Sequence, residues 1–353
     1  MGTHIPSIED TKELLKKNQI GIIGVGETEQ GKIPGKSSFH FLSEASKLAI
    51  EDAGIQKSDV DGVITAFSLV EETFMHCTTF ADYIGINPKY FESVAIGGAT
   101  AVWMTAAAAM AINSGQAEVV LCVRGDNTLS GISSTGMIAL IREMCHGEFE
   151  FPFGLTTPGG YALMANRYLH ETNGKREHLH SVAVTMREHA KLKENAMMKD
   201  DLTLDDIMAT RLLASPLTKF DCSIVSDGGA AFIVTTSAKA KELGLKRDPI
   251  YLHGMGQGFS HQYLTSCENL EQIYGAVEKS GKKAFETAGM TNDNVDITFL
   301  YDCFTITTLL ELEGLGIVPK GQAGAYALEG RLHKDAAVSY THLRAHETRE
   351  DLV

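Results

Sequence analysis

Two stretches of this chain, 235 positions apart, repeat each other. "AIEDAGIQKSDVDGVITAF" begins at Ala49 and "AFETAGMTNDNVDITFLYDCF" begins at Ala284; Ala49/Ala284, Glu51/Glu286, Ala53-Gly54/Ala288-Gly289 and Val60-Asp61/Val295-Asp296 coincide. Each copy reads as an amphipathic helix stopped by a glycine cap, a polar loop and an apolar strand. One duplication at this spacing predicts two similar α/β halves and excludes a solenoid, which needs several short repeats. Each half opens with a strand that ends in glycines, "IGIIGVG" at 20–26 and "IYLHGMGQG" at 250–258.

The pattern predicts strands at 20–25, 62–67, 93–96, 118–124 and 229–235 in the first half, then 249–256 and 297–301 in the second. Helices are expected at 38–53, 75–85, 99–114, 236–243, 272–288 and 305–315, so the fold class is α/β with packed layers. Between Asp126 and Pro216 the periodicity breaks down, as in an inserted loop domain. The expected organisation is an N-terminal extension over 1–17, a first half over 18–244 with its insertion at 126–216, and a second half over 245–337. With 353 residues, 44% of them hydrophobic, either half can build a core.

Several function classes are disfavoured. A net charge of −14 opposes binding to a nucleic-acid backbone. No apolar run approaches a membrane span, the start is too polar for a signal peptide, and six scattered cysteines suit a reducing, cytoplasmic setting. "GVGETEQG" at 24–31 misplaces the third glycine of a dinucleotide fingerprint. His170, His178, His180 and His189 cluster in sequence, but 178 and 180 point to different faces of a helix, so surface histidines are expected and no metal site. One basic stretch stands out: Arg167–Lys199 holds seven Lys/Arg against four Asp/Glu. It is either a solvated helical face or a landing site for a phosphorylated cofactor, for which Arg187, Lys191 and Lys193 are the candidates.

"SVAIGGATAVWMTAAAAMAI" at 93–112 is a short strand, a Gly-Gly elbow and a helix with no polar face. Such a helix is expected to be buried, with free N–H groups and partial positive charge at its N-terminus. That is a site for a nucleophile or an anionic intermediate, yet Gly97 and Gly98 bring no side chain.

Three motifs carry a resemblance. "DCSIVSDGGAAFIVTTSAKAKEL" at 221–243 resembles the thiolase superfamily pattern of Asp-Cys-Ser followed by Asp-Gly-Ala-Ala before a strand. "YDCFTITTLLELEGLGIVPKGQAG" at 301–324 resembles a segment of sterol-carrier-protein-x-type thiolases, and "GGATAVWMTAAAAMAINSGQAEVVLCV" resembles the thiolase nucleophile helix with its following strand. The resemblance covers about 18–337 and implies a layered α-β-α-β-α arrangement and a coenzyme A thioester substrate, with no bound cofactor.

The departures from that pattern bear on the reaction. Counting back from "SGQAE", the family's acyl-accepting cysteine falls on Gly98, and its carbonyl-polarising histidine or asparagine before "DCF" is here Tyr301. Claisen chemistry needs a covalent acyl acceptor, whereas a retro-aldol needs only an acid–base group and an oxyanion hole. Gly98 and Tyr301 together resemble the lipid-transfer-protein/thiolase-like aldolases. That branch implies a homodimer, an OB-fold zinc-ribbon partner and a second catalytic tyrosine expected beyond Ala337. Cys303, two residues after Tyr301, shares its strand face without being the family's nucleophile. The alternatives are an acyltransferase with an unrecognised nucleophile and a non-catalytic CoA-binding subunit. Residues 338–353, beginning "VSYTHLRAHETREDLV", lack apolar period and turn chemistry and read as a translated sequencing adapter. A second half cut short at Ala337 is therefore expected, with a tail that makes few contacts.

Overall fold

The computed structural model describes residues 12–13, 15, 19–71, 73–333 and 339–342. Its centre is a six-stranded mixed sheet. The strands are β1 (Ile20–Glu27), β2 (Gly62–Ala66), β3 (Tyr90–Val94), β4 (Val119–Asp126), β5 (Gly228–Thr236) and the short β6 (Ile250–Tyr251), in spatial order β3-β2-β4-β5-β1-β6. β2 runs parallel to β3 and β4, while β5 lies antiparallel between β4 and β1.

Both faces of this sheet are covered, which explains why β4 reads as an unbroken apolar run. Val119, Leu121 and Val123 face α1 (Ser38–Ala53) and α2 (His76–Ile84) in one core cluster; Val120 and Cys122 face α3 (Thr100–Asn113) in another. α1 begins at Ser37, whose hydroxyl accepts from the His40 N–H, and ends at Gly54 in the left-handed conformation.

Glycines of the second half approach a helix as those of the first do. A side-chain carbon on Gly24 would lie 2.5 Å from the Ala49 carbonyl oxygen, and one on Gly254 would lie 2.2 Å from that of Ala284. Gly26 meets Ala45 and Ala49 of α1; Gly256 meets Ser280 and Ala284 of α6 (Leu270–Ala288). In both halves glycines let an extended segment lie directly on a helix backbone. β7 (Ile297–Leu300) follows α6 as β2 follows α1. The expected strand 249–256 pairs only over Ile250–Tyr251, because beyond the Leu252 N–H bonded to the Ile20 carbonyl the chain turns onto α6 instead of β1.

The segment between β4 and β5 is more regular than the sequence suggested. It contains α4 (Thr157–Glu171) and α5 (Arg176–Leu192), which share one core cluster with α6, α7 (Thr305–Gly314) and α8 (Ala323–Leu328). α7 packs mainly on these helices and α3 mainly on the sheet.

Two further expectations are corrected. α3 is not wholly buried: Val102 and Met110 are exposed, because the side of the helix away from the sheet has no cover in the single chain. Ser339–His342 form β8, parallel to β7 in continuous register, so this part of the tail is paired and not isolated. The rest of the tail lies outside the described residues, as do all but a few residues of the N-terminal extension.

Candidate active site

The elbow before α3 uses its two glycines differently. Gly97 has φ +71°, a left-handed conformation that side chains resist. Gly98 has no such constraint; its limit is space. A β-carbon there would lie 2.4 Å from Cζ and 2.7 Å from the hydroxyl oxygen of Tyr301. The tyrosine ring stands where a side chain at 98 would stand. Thr100, fully buried, fixes the turn by accepting from the Ile96 N–H at 3.1 Å and donating to the Gly97 carbonyl at 2.7 Å. Tyr301 therefore meets the N-terminus of α3, where backbone N–H groups lack partners within the helix.

Tyr301 leaves β7 at its carboxyl end, and its own N–H donates to Glu311 Oε2 of α7 at 2.8 Å. This bond closes the β7–α7 turn and sets the direction of the ring. Although 43% of Tyr301 is exposed, desolvation pushes its phenol up to about 12; Cys303 and Asp302 act in the same direction and Arg124 of β4 opposes them. The hydroxyl is thus neutral across the physiological range. Burial raises Glu311 to about 8 with help from Asp302, against the pull of the Tyr301 N–H.

Two residues after Tyr301, Cys303 meets a residue that the sequence did not single out, Tyr161. The Cys303 thiol donates to Tyr161 Oη at 3.4 Å and lies 3.3 Å from Thr307 Oγ1. Tyr161, on α4, stacks on Phe304 with ring centroids 4.0 Å apart. The "DCF" triplet thus draws a helix from the segment between β4 and β5 into the site. Nothing in the local sequence around Tyr161 marks it, because its role depends on a contact 142 residues away.

A second buried cluster corrects the histidine reading. His180 is fully buried, with Nδ1 2.8 Å from Asp221 Oδ1; Asp221 also accepts from the Thr218 N–H and hydroxyl and from the Thr305 hydroxyl at 3.0 Å. Burial would raise the Asp221 carboxyl, but the bonds from His180 and Thr218 together bring it below the usual value. The Asp-Cys-Ser motif contains half of this pair, and His180 is buried where a surface histidine is expected from the sequence.

The basic candidates are engaged inside the chain. Lys191 pairs with Glu188 and Asp201 at 2.7 and 2.5 Å, and Arg187 Nη1 donates to the Asp200 carbonyl at 3.0 Å. Lys193 is buried, 3.0 Å from Glu27 at the end of β1. The structure does not bring these three to Tyr301 through any hydrogen bond or ion pair it shows.

Comparison with known proteins agrees with the fold. Residues 256–342 match the family described as thiolase C-terminal domain-like. The chain is 34% identical over 322 residues to a steroid side-chain-cleaving aldolase of Thermomonospora curvata, a match covering 88% of this chain and 81% of the relative. It is 31% identical to a 17-hydroxy-3-oxo-4-pregnene-20-carboxyl-CoA lyase of Mycobacterium tuberculosis, over 90% of this chain and 84% of that one. A solved structure described as the Ltp2-ChsH2(DUF35) aldolase superposes with a TM-score of 0.80 at 32% identity, covering 92% of this chain and 83% of that chain. The chain belongs to the thiolase-like enzymes of the sterol-carrier-protein type.

Proposed function

We propose that this chain is a retro-aldolase acting on a 3-hydroxyacyl-CoA of lipid or steroid side-chain type. The observation that carries the reading is the 2.4 Å approach of Tyr301 to the place of a Gly98 side chain. It removes the site of a covalent acyl-enzyme and puts a phenol there. In the reaction a base takes the β-hydroxyl proton and the bond between the α and β carbons breaks. Its electron pair passes to the α carbon, giving the CoA enolate, while the β carbon becomes a ketone or aldehyde carbonyl. The amides at the start of α3 hold the enolate oxygen, and a neutral phenol at Tyr301 supplies the proton that the α carbon needs. Names of the two similar enzymes, an aldolase and a CoA lyase, support the same reaction class.

The test is incubation with a 3-hydroxyacyl-CoA carrying a branched side chain. The proposal expects stoichiometric release of a carbonyl product and a shortened acyl-CoA. An acyl-protein adduct in the mass spectrum would replace it with acyltransferase chemistry, and binding of the thioester without turnover would leave a binding subunit.

Three finer readings accompany it. The chain works as a homodimer: β3 is an unpaired sheet edge, and Phe91 on it, Ile96 beside the elbow and Val102 and Met110 on α3 are exposed apolar groups. A separate OB-fold zinc-ribbon subunit is the expected partner, a reading supported by the two components of the similar Ltp2-ChsH2(DUF35) aldolase structure. CoA phosphates are held by Arg187 and Lys191, which remain partly exposed, and not by the buried Lys193. The free thiols favour a cytoplasmic setting, and among the described residues no helix is long and apolar enough to cross a membrane.

A further inference from the structure

We propose that the Asp-Cys-Ser triplet at 221–223 is a clamp on the turn that carries Tyr301, with Asp221 and His180 as positioning residues that act through its backbone. This rests on Tyr301 being the acid–base group of the proposed reaction. The two motifs meet residue for residue in antiparallel order. The Asp221 carboxylate accepts from the Thr305 hydroxyl at 3.0 Å, Cys222 bridges to Phe304, and the Ser223 N–H donates to the Cys303 carbonyl at 2.8 Å. Each step forward along one triplet is thus matched by a step back along the other, as in a short antiparallel pair.

The turn needs support from outside. α7 begins at Thr305, and the residue before it, Phe304, has no side-chain oxygen with which to accept from the N–H groups of the first turn. A carboxylate beside that end also complements its partial positive charge, and Asp221 supplies one from a different part of the chain. Asp221 is itself held firmly. Its second oxygen accepts from the Thr218 N–H at 2.7 Å and from the Thr218 hydroxyl at 2.8 Å. His180 Nδ1 lies 2.8 Å from the oxygen that Thr305 uses, and an ionised carboxylate only accepts, so this nitrogen donates. His180 is fully buried on α5, and the clamp is therefore anchored to a helix of the segment between β4 and β5.

Tyr301 is fixed on both sides by these bonds. Its own N–H is held by Glu311 at 2.8 Å, and two residues further on the Cys303 carbonyl is held by Ser223. Such precision matters here, because the phenol ring fills the space where a Gly98 side chain would stand, 2.4 Å from its β-carbon. A misplacement of about 1 Å in a reacting group can cost on the order of 10²-fold in rate. Thr305→Val is the cleanest cut in the clamp. It removes the hydroxyl that Asp221 accepts, keeps the side-chain volume and leaves His180 and Thr218 on the carboxylate. Thr308→Val is its control: Thr308 is also fully buried on α7, and its hydroxyl has no hydrogen-bond partner among the described residues.

The experiment labels the full chain with 13C-tyrosine and 13C-glycine and measures the nuclear Overhauser cross-peak between the Tyr301 ring and the Gly98 α protons, assigned by its loss in Tyr301→Phe. Thr305→Val and His180→Phe are expected to weaken this cross-peak and, in the cleavage assay, to lower kcat several-fold with KM unchanged. Thr305→Ser should recover both readings, and Thr308→Val should match the parent in both. A cross-peak of parental strength in Thr305→Val and His180→Phe, with only the thermal midpoint lowered, overturns the inference and leaves the clamp a stabilising contact. An equal loss in Thr308→Val overturns it as well, since any disturbance of α7 would then move the ring. The cross-peak is read without substrate, so this failure is distinct from that of the aldolase reading, which falls if Tyr301→Phe cleaves as fast as the parent.

Discussion

At Gly98 the chemistry of the site is decided by one missing side chain and one present ring. Gly98→Ala puts a methyl group into the Tyr301 ring, and the ring, being the free end of a side chain, must swing off the elbow. Cleavage should fall by on the order of 10²-fold, matching Tyr301→Phe, because both remove the phenol from the α3 N-terminus. The thermal midpoint should barely change. An alanine variant of full activity would separate Gly98 from the mechanism. Asp221 makes a different kind of prediction. Its carboxyl lies below the usual 3.8 in the folded protein, so its stabilising contribution is complete above that value and disappears as pH falls through the lowered one. Asp221→Ala strands His180 and the Thr218 and Thr305 donors and should cost about 3–5 kcal/mol in urea unfolding at pH 7. A loss below 1 kcal/mol would show that water replaces the carboxylate.

Gly98 and Tyr301 were legible in sequence because both occupy positions where the resemblance specifies another residue. Tyr161, His180 and Glu311 were not. Each gains its partner from an element distant in the chain or from a turn that exists only after folding, and although Glu311 lies in the 301–324 motif, nothing there marks its bond to the Tyr301 N–H. In the basic stretch, too, charge can be counted from the sequence while pairing cannot. Lys193 faces Glu27, 166 positions away. Lys193→Ala should therefore act on stability, by about 1–3 kcal/mol for an abandoned buried partner, with CoA affinity unchanged. Lys191→Ala should instead raise the Kd for CoA, more at low salt than at high salt. Equal effects of the two on affinity would restore a phosphate role to both.

Among elements, helices and strands of the first half fell close to their sequence positions because period and caps agree there. α1 shows why: Ser37 starts it, Gly54 ends it, and Ala45, Ala49 and Ala53 make its strand-facing side narrow enough for Gly24 and Gly26. In the second half the glycine-on-helix contacts parallel those of the first, while the strand is shorter than its sequence suggests. Glycines 254, 256 and 258 have the spacing of a strand on a helix, while hydrogen-bond pairing also needs a neighbouring strand, which no spacing reveals. Gly256→Ala tests the equivalence. Its methyl would meet the Ser280 carbonyl at 2.0 Å, as that of Gly26→Ala would meet Ala45 at 2.3 Å. Both should destabilise by about 1–3 kcal/mol through helix displacement. A neutral Gly256→Ala would show that the second contact is looser than its counterpart.

On the scale of the whole molecule, the proposed homodimer would cover the exposed apolar groups of α3 and the edge strand β3. Sedimentation at micromolar concentration should give a dimer, and Phe91→Asp together with Val102→Asp should give a monomer that keeps its helical circular dichroism. A parent protein that sediments as a monomer would leave that surface for the second subunit.

The overlap between positions 98 and 301 also orders the routes by which one catalyst can turn into the other. A cysteine at 98 and a tyrosine at 301 claim the same volume, so a lineage changing one residue at a time must surrender its sulfur before it can admit the ring. In the opposite order the ring would have to stand off the elbow until the sulfur is gone, so an elbow without a side chain is the state from which the phenol can take its place.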